Sequence, residues 1–241
     1  MQKPLYKNIP NFITILNLLS GIIGILFVLK FDNIKLGCLM VLISGFFDLF
    51  DGLSARLLNA KSKIGLELDS LADVVSFGVL PGFLIYSSIT SLNLANNISQ
   101  YLAYLSFLFP AFAALRLAKF NTQEQQLDVF NGLSAPGATF LVISILLNES
   151  LTNFFSNHQI FALIFLISLT ILLSALMVSN IKFLSLKFDS FSIRKNLITY
   201  ILILFSIISL TILKLDGLVY IFIFYFIISF FNLKIKKQNI S

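Results

Sequence analysis

Long apolar runs separated by short polar stretches occupy most of the sequence. There are eight, at about 12–29, 35–58, 66–87, 98–118, 135–149, 159–180, 197–213 and 216–233. Most approach the ~20 residues that a helix needs to cross a bilayer. The chain is 58% hydrophobic and 12% charged, whereas soluble domains are about 45–50% apolar and about 25% charged. Because the runs lack the alternation of a membrane β-barrel, we predict an all-α, polytopic membrane bundle of about eight helices, folded as one domain over 1–241.

The basic residues predict how this bundle is oriented. Most of them fall at the termini or in the connections that would lie on the same side of an eight-span bundle; the exceptions are Lys30, Lys35 and Lys214. The most basic connection is 181–196. Cytoplasmic segments of membrane proteins carry an excess of Lys and Arg. We therefore predict that both termini are cytoplasmic. The net charge of +6 is explained by this topology, and no nucleic-acid partner is predicted.

Four aspartates interrupt the second and third apolar runs. Asp48 and Asp51 are spaced i,i+3, and Asp69 and Asp73 are spaced i,i+4, so each pair shares one helix face. The polar connection 59–63 lets the two helices run antiparallel and bring the pairs together. Uncompensated, four carboxylates in a bilayer would cost roughly 10 kcal/mol on insertion scales. We therefore predict a bound cation, and the all-oxygen donor set favours Mg²⁺, Mn²⁺ or Ca²⁺ over zinc.

Small residues and an arginine accompany the first aspartate pair. Gly52 and Ala55 share its face, and Arg56 lies at the edge, where a guanidinium suits phosphate contact. This combination predicts metal-assisted phosphoryl transfer on an anionic, partly lipidic substrate. An ion or proton transporter could also use intramembrane aspartates, and it remains an alternative, although it would not obviously need these three residues.

The first apolar run carries a polar stripe. Asn11, Thr14 and Asn17 follow each other at i,i+3,i+6, which places them on one side of a helix. We interpret the stripe mainly as hydrogen bonding between helices.

Residues 48–73 match the pattern D-x2-D-G-x2-A-R-x8-G-x3-D-x3-D at all eight fixed positions, the last of which are Gly65, Asp69 and Asp73. In this the chain resembles the CDP-alcohol phosphotransferases. The resemblance implies a six-helix catalytic membrane core, a homodimer, and a site in which an acceptor hydroxyl displaces CMP from a CDP-linked alcohol. It also implies two divalent cations, Mg²⁺ or Mn²⁺, per active site.

Three further stretches are similar to one branch of this family, the membrane-integral phosphatidylserine synthases of bacteria and archaea. They are I-P-N-F-I-T-I-L-N at 9–17, D-S-L-A-D-V-V-S-F-G-V-L-P at 69–81 and A-L-R-L-A-K-F-N at 114–121. Lys119 stands where the branch commonly has arginine. The similarity covers roughly the first 140 residues. We expect a catalytic core over 1–180 and additional C-terminal helices over 181–241.

The resemblance assigns roles to the motif residues. Metal ligation falls to Asp48, Asp51, Asp69 and Asp73; CDP binding to Asp48, Gly52, Ala55, Arg56, Gly65 and Asp69; and the role of general base to Asp73. The implied substrates are CDP-diacylglycerol and L-serine, and the products are phosphatidylserine and CMP. The site is expected to face the cytoplasm from a multi-pass position in a prokaryotic plasma membrane, surrounded by membrane lipids.

The acceptor must be selected outside the shared motif. Arg116 and Asn121, at the cytoplasmic end of the fourth run, are our candidates for binding the acceptor's carboxylate or the adjacent phosphate. Glycerol 3-phosphate and an inositol phosphate are alternative acceptors. Both would be favoured by extra basic residues near the site, and few are present beyond Arg56 and Arg116.

Overall fold

The chain folds into a bundle of helices, as predicted. The computed structural model describes residues 5–92, 94, 98–122, 129–184 and 197–238. The α-helices in these ranges are α1 Ile9–Phe31, α2 Ile34–Leu57, α3 Lys63–Val74, α4 Leu80–Thr90, α5 Ile98–Leu102, α6 Leu108–Thr122, α7 Ala135–Leu147, α8 Glu149–Asn157, α9 Gln159–Val178, α10 Leu197–Leu213 and α11 Gly217–Gln238. Short 3₁₀ turns lie at Leu5–Asn8, Ala103–Phe107 and Lys214–Asp216, and a π-helical turn spans Val75–Val79.

Polar caps fix the ends of the helices that carry the aspartates. Asn33 precedes α2, and its side chain accepts a hydrogen bond from the Leu36 amide at 2.9 Å. Ser62 precedes α3 and accepts one from the Gly65 amide at 3.0 Å. Both caps satisfy amides that would otherwise lack partners at a helix N-terminus. As predicted, the polar connection after Leu57 reverses the chain, so that α2 and α3 present their aspartates to each other.

A π-helical turn joins α3 to α4, beginning two residues after Asp73, and two contacts hold it. The Thr139 hydroxyl on α7 donates to the Phe77 carbonyl at 2.7 Å. The Ser76 hydroxyl donates to the Asn17 carbonyl on α1 at 3.1 Å. The turn is therefore tied to both α1 and α7.

Glycines let the central helices approach closely. A Cβ at Gly24 would lie 2.6 Å from Leu80, and one at Gly82 would lie 2.9 Å from the Pro110 ring. The fully buried apolar side chains on these helices, including Leu80, Phe77 and Phe109, fill the space between them. The core thus includes Phe77, which follows Asp73 by one turn in the same helical stretch.

The number of membrane-crossing helices is smaller than predicted when it is counted by length and hydropathy. The described residues contain six such stretches, or seven if α7 and α8, bent by 68° at their junction, form one span. One of the six, Thr199–Ser229, includes both α10 and α11. These two helices fold back on each other, since the Phe205 and Phe224 rings lie 4.3 Å apart, so the prediction of separate runs at 197–213 and 216–233 matches the chain reversal.

A small β-ribbon is added to the predicted all-α fold. Strands β1 (Val129–Asn131) and β2 (Lys182–Leu184) pair antiparallel, with Phe130 opposite Phe183. A strand of three residues is too short to show the alternation of apolar and polar residues from which strands are predicted. Most of the basic connection 181–196 lies outside the described residues.

Candidate active site

Three of the four aspartates converge between α2 and α3. One carboxylate oxygen each from Asp48, Asp51 and Asp69 lies within 4.8 Å of the others. Asp51 is buried, and Asp48 and Asp69 are half-buried. We call these three residues the carboxylate triad. The i,i+3 spacing on α2 and the chain reversal before α3 produce it.

The fourth aspartate lies one turn further along α3, next to the triad. Asp73 is 9% exposed. The Asn17 side chain on α1 donates a hydrogen bond from Nδ2 to Asp73 Oδ1 at 3.4 Å, and the Arg116 guanidinium on α6 interacts electrostatically with the same carboxylate. Asp73 therefore connects the triad to α1 and α6.

The triad fits a divalent cation by its donor chemistry. Asp51 Oδ2 and Asp69 Oδ1 are buried and have no hydrogen-bond partner among the described residues. Within the described ranges, no Lys or Arg forms an ion pair with any of the four aspartates. Buried carboxylate charge needs a compensating partner. Hard oxygen donors in this number suit Mg²⁺ or Mn²⁺.

Two of the residues predicted to bind CDP line an open pocket at the end of α2. Ala55 and Arg56 form it together with Asn59 and Lys61, and its volume is about 280 Å³. Arg56 and Lys61 are exposed, so the pocket offers two cationic side chains to an anionic ligand.

The two glycines of the motif have different surroundings. Gly52 is exposed, and a Cβ there would meet nothing within 4 Å. At Gly65 a Cβ would lie 2.9 Å from Asn11 Oδ1 and 3.1 Å from Ser62 Oγ. Close packing of the start of α3 against α1 therefore accounts for Gly65, whereas no contact with the described residues accounts for Gly52.

The two acceptor candidates lie at different depths on α6. Arg116 is 9% exposed, with its Cζ 5.6 Å from the centre of the Phe120 ring, and its charge interacts with that of Asp73. Asn121 is exposed, and its Nδ2 donates to Ser70 Oγ on α3 at 2.8 Å. The structure thus places Arg116 within electrostatic range of Asp73, and Asn121 at an exposed position bonded to Ser70.

Asn17 and Thr14 also reach the aspartates, and sequence reasoning did not place them there. Asn17 contacts Asp73, and the Thr14 side chain lies beside Asp51. Their i,i+3 spacing on α1 was the available signal. That spacing places the two residues on one face but does not identify the helix that the face contacts.

Comparisons with known proteins identify the family of the chain. Residues 7–181 match the family model described as CDP-alcohol phosphatidyltransferase. The chain belongs to the CDP-alcohol phosphatidyltransferase family. The matched range contains the triad, Asp73, Asn17 and both acceptor candidates, so the whole candidate site lies in the part shared with this family.

Several relatives in the family carry the name CDP-diacylglycerol–serine O-phosphatidyltransferase. A protein of Helicobacter pylori strain 26695 is 34% identical over 203 residues, covering 83% of this chain and 80% of its own length. A Bacillus subtilis protein is 37% identical over 178 residues, covering 73% of this chain and 89% of its own. A Methanocaldococcus jannaschii protein is 34% identical over 178 residues, covering 73% of each chain.

Proposed function

We propose that this CDP-alcohol phosphatidyltransferase transfers the phosphatidyl group of CDP-diacylglycerol to the hydroxyl of L-serine, producing phosphatidylserine and CMP. The observation that carries the proposal is the carboxylate triad, with unpartnered oxygens on Asp51 and Asp69. The names of relatives at 34–37% identity support serine as the acceptor.

Two divalent cations, Mg²⁺ or Mn²⁺, held by Asp48, Asp51, Asp69 and Asp73, supply positive charge to the pyrophosphate oxygens when they are bound. The open pocket of Ala55, Arg56, Asn59 and Lys61 offers cationic contacts to the CDP moiety. The empty space beside Gly52 lets the nucleotide approach the α2 backbone. Asp48 and Asp69 belong to the same binding surface, and Gly65 supports it by allowing α3 to pack on α1.

The reaction requires one proton transfer and one substitution at phosphorus. The serine hydroxyl oxygen bonds to the phosphorus that bears the lipid, and the bond from that phosphorus to the oxygen bridging to CMP breaks. The hydroxyl proton passes to the Asp73 carboxylate, and CMP leaves with the bridging oxygen. Asp73 suits this role because it is buried next to the triad and held by Asn17, which fixes the geometry on which general-base catalysis depends.

The proposal includes the setting of the enzyme. Residues 1–180 form the catalytic core, and 181–241 add the C-terminal helices. The site opens to the cytoplasmic face of a prokaryotic plasma membrane, so that serine enters from water and the lipid substrate from the bilayer. The functional unit is a homodimer, as the resemblance to the family implies.

The test is CMP release by the purified protein in detergent with CDP-diacylglycerol. L-serine, glycerol 3-phosphate and an inositol phosphate are offered separately, each with Mg²⁺ or Mn²⁺ and with a chelator. We expect release with serine and metal only. Asp69→Asn should lower it by about 100-fold or more, since losing even an outer contact of a metal site costs 10–100-fold.

Glu67→Gln is the matched control. It removes a carboxylate charge from the same helix, but Glu67 is exposed and lies outside the triad, so activity should stay at the wild-type level. Release with a different acceptor would overturn the assignment of serine and keep the chemistry. No release with any acceptor would favour the transporter alternative.

A further inference from the structure

Asn17 lies where α1, α2 and the π-helical turn meet. Its backbone carbonyl accepts hydrogen bonds from the hydroxyls of Ser44, at 3.3 Å, and Ser76, at 3.1 Å. Its own side chain is fully buried, with 0% exposed. Two neighbouring segments thus fix this residue, and its amide has a defined place beside Asp73.

The orientation of the amide follows from its neighbour. An ionised carboxylate only accepts hydrogen bonds, so the amide nitrogen must face Asp73, to which it donates at 3.4 Å. The amide oxygen then points elsewhere. It is buried and receives no hydrogen bond from the described residues. Because a buried acceptor without a donor is costly, a ligand that donates a hydrogen bond is expected at this oxygen.

Arg116, which interacts with the Asp73 carboxylate, has a hydrogen-bond donor without a partner within the described ranges, where Asn17 has an acceptor. It is 9% exposed, and its Nε is buried without a partner in the described part of the chain. A guanidinium only donates hydrogen bonds. Four of the six buried side-chain atoms that lack partners among the described residues belong to Asn17, Asp51, Asp69 and Arg116. Of the two side chains that interact with Asp73, Asn17 therefore has an acceptor, and Arg116 a donor, without a partner among the described residues.

We propose that Asn17 and Arg116 recognise the charged end of an amino-acid acceptor. The Asn17 amide oxygen receives a hydrogen bond from the acceptor's ammonium group, and the Arg116 guanidinium donates to its carboxylate. The acceptor hydroxyl then lies toward Asp73. This inference rests on the proposed function and adds Asn17 to the residues that select serine. An acceptor without an ammonium group leaves the Asn17 oxygen without a charged donor, which disfavours it.

The experiment compares serine with two analogues that each lack one charged group. 3-Hydroxypropionate lacks the ammonium group and ethanolamine lacks the carboxylate; each is measured as an acceptor in CMP release, or as a competitive inhibitor of serine. Asn17→Leu should lower the preference for serine over 3-hydroxypropionate by about tenfold or more, the effect of losing a hydrogen bond to a charged group. Arg116→Leu should lower the preference for serine over ethanolamine instead.

Three controls keep the result interpretable. Ser174→Ala, on α9, removes a buried hydroxyl that also lacks a partner among the described residues, and it should change neither preference. Asn17→Ala, which adds no bulk, replaces Asn17→Leu if the leucine variant does not fold. Mn²⁺ binding, measured by electron paramagnetic resonance, should be the same in the Asn17 variants and the wild type.

Two outcomes overturn the inference while the proposed function stands. An equal loss for serine and 3-hydroxypropionate would show that Asn17 only positions Asp73. A loss of Mn²⁺ binding would place Asn17 in the metal site. If the wild type releases no CMP with serine, the proposed function itself fails, and this inference fails with it.

Discussion

Gly52 and Gly65 are both fixed glycines of the motif, but the space around their Cα atoms differs. Gly65 is explained inside the protein, because a side chain there would press on Asn11 and Ser62. Gly52 is not, since a Cβ would meet nothing within 4 Å, and its position in a helix lowers stability relative to alanine. Because Gly52 lies next to the triad and lowers helix stability, we expect the CDP moiety to approach the backbone there.

The first prediction separates these two roles. Gly52→Ala should leave the melting temperature unchanged or raise it, since Ala is favoured over Gly in helices by up to about 1 kcal/mol, and should lower kcat/KM for CDP-diacylglycerol. Gly65→Ala should lower the melting temperature. Thermal unfolding in detergent and steady-state kinetics check both. Full activity in Gly52→Ala would remove Gly52 from the CDP-binding surface.

The second prediction concerns Asn121, whose amide donates to Ser70 at 2.8 Å. This pair is partly solvated, so Asn121→Ala should cost less than about 1 kcal/mol in stability. If Asn121 binds the acceptor, the KM for serine rises in Asn121→Ala and not in Ser70→Ala, which removes the same hydrogen bond but keeps the amide. Equal KM values in the two variants would show that Asn121 only joins α6 to α3.

Among the elements, the π-helical turn at Val75–Val79 is the one most closely coupled to the site. It begins two residues after Asp73, and its Phe77 carbonyl is held by Thr139 from α7. π-Turns often occur at functional sites in helices. Here the turn accepts a hydrogen bond from Thr139 on α7 and donates one from Ser76 to the Asn17 carbonyl on α1. These two bonds fix the direction of the helix that carries Asp69 and Asp73.

The third prediction tests that coupling. Thr139→Val keeps the shape and removes the hydroxyl, and it should cost about 1 kcal/mol in stability and lower kcat. Thr170→Val is the control, since Thr170 is also buried but bonds at 2.7 Å to Leu166 in its own helix; kcat should be unchanged. Unfolding in denaturant and CMP release measure the two effects. Equal kcat in both variants would contradict a role for the turn.

Local features were predictable where the signal lay within one element. The apolar runs, the chain reversal after α2 and the spacing of the aspartates all follow from helical geometry. The bend after α7, and the counting of 199–229 as one membrane-crossing stretch, depend on how helices pack against each other. The hydropathy of a single apolar run carries no information about that packing. The π-turn likewise depends on partners such as Thr139, 62 residues away.

At the scale of the whole molecule, the site is assembled from α1, α2, α3 and α6. The triad was predictable because its members lie on two consecutive helices. Asn17 and Arg116 come from helices that are distant in sequence, and only the tertiary packing shows that Asn17 bonds to Asp73 and that Arg116 interacts with it electrostatically. The spacing of Asn17 on α1 predicted a polar face, and the structure identifies the residue that this face contacts.

The fourth prediction concerns orientation in the membrane. A cysteine at Lys63, at the start of α3, should react with a membrane-impermeant maleimide only after cells are permeabilised, whereas one at Asn157, at the end of α8, should react in intact cells. Both positions are exposed. The wild type is the control, because Cys38 is 0% exposed and should stay unlabelled. The reverse pattern would contradict the cytoplasmic placement of the site.

The most direct test of the central claim follows the oxygen of serine. The purified enzyme is given CDP-diacylglycerol, Mg²⁺ and L-serine carrying ¹⁸O in its hydroxyl group, and both products are analysed by mass spectrometry. The account predicts that the label appears in phosphatidylserine and is absent from CMP, because the serine oxygen attacks the lipid-bearing phosphorus. Label in CMP, or unlabelled phosphatidylserine, would contradict it.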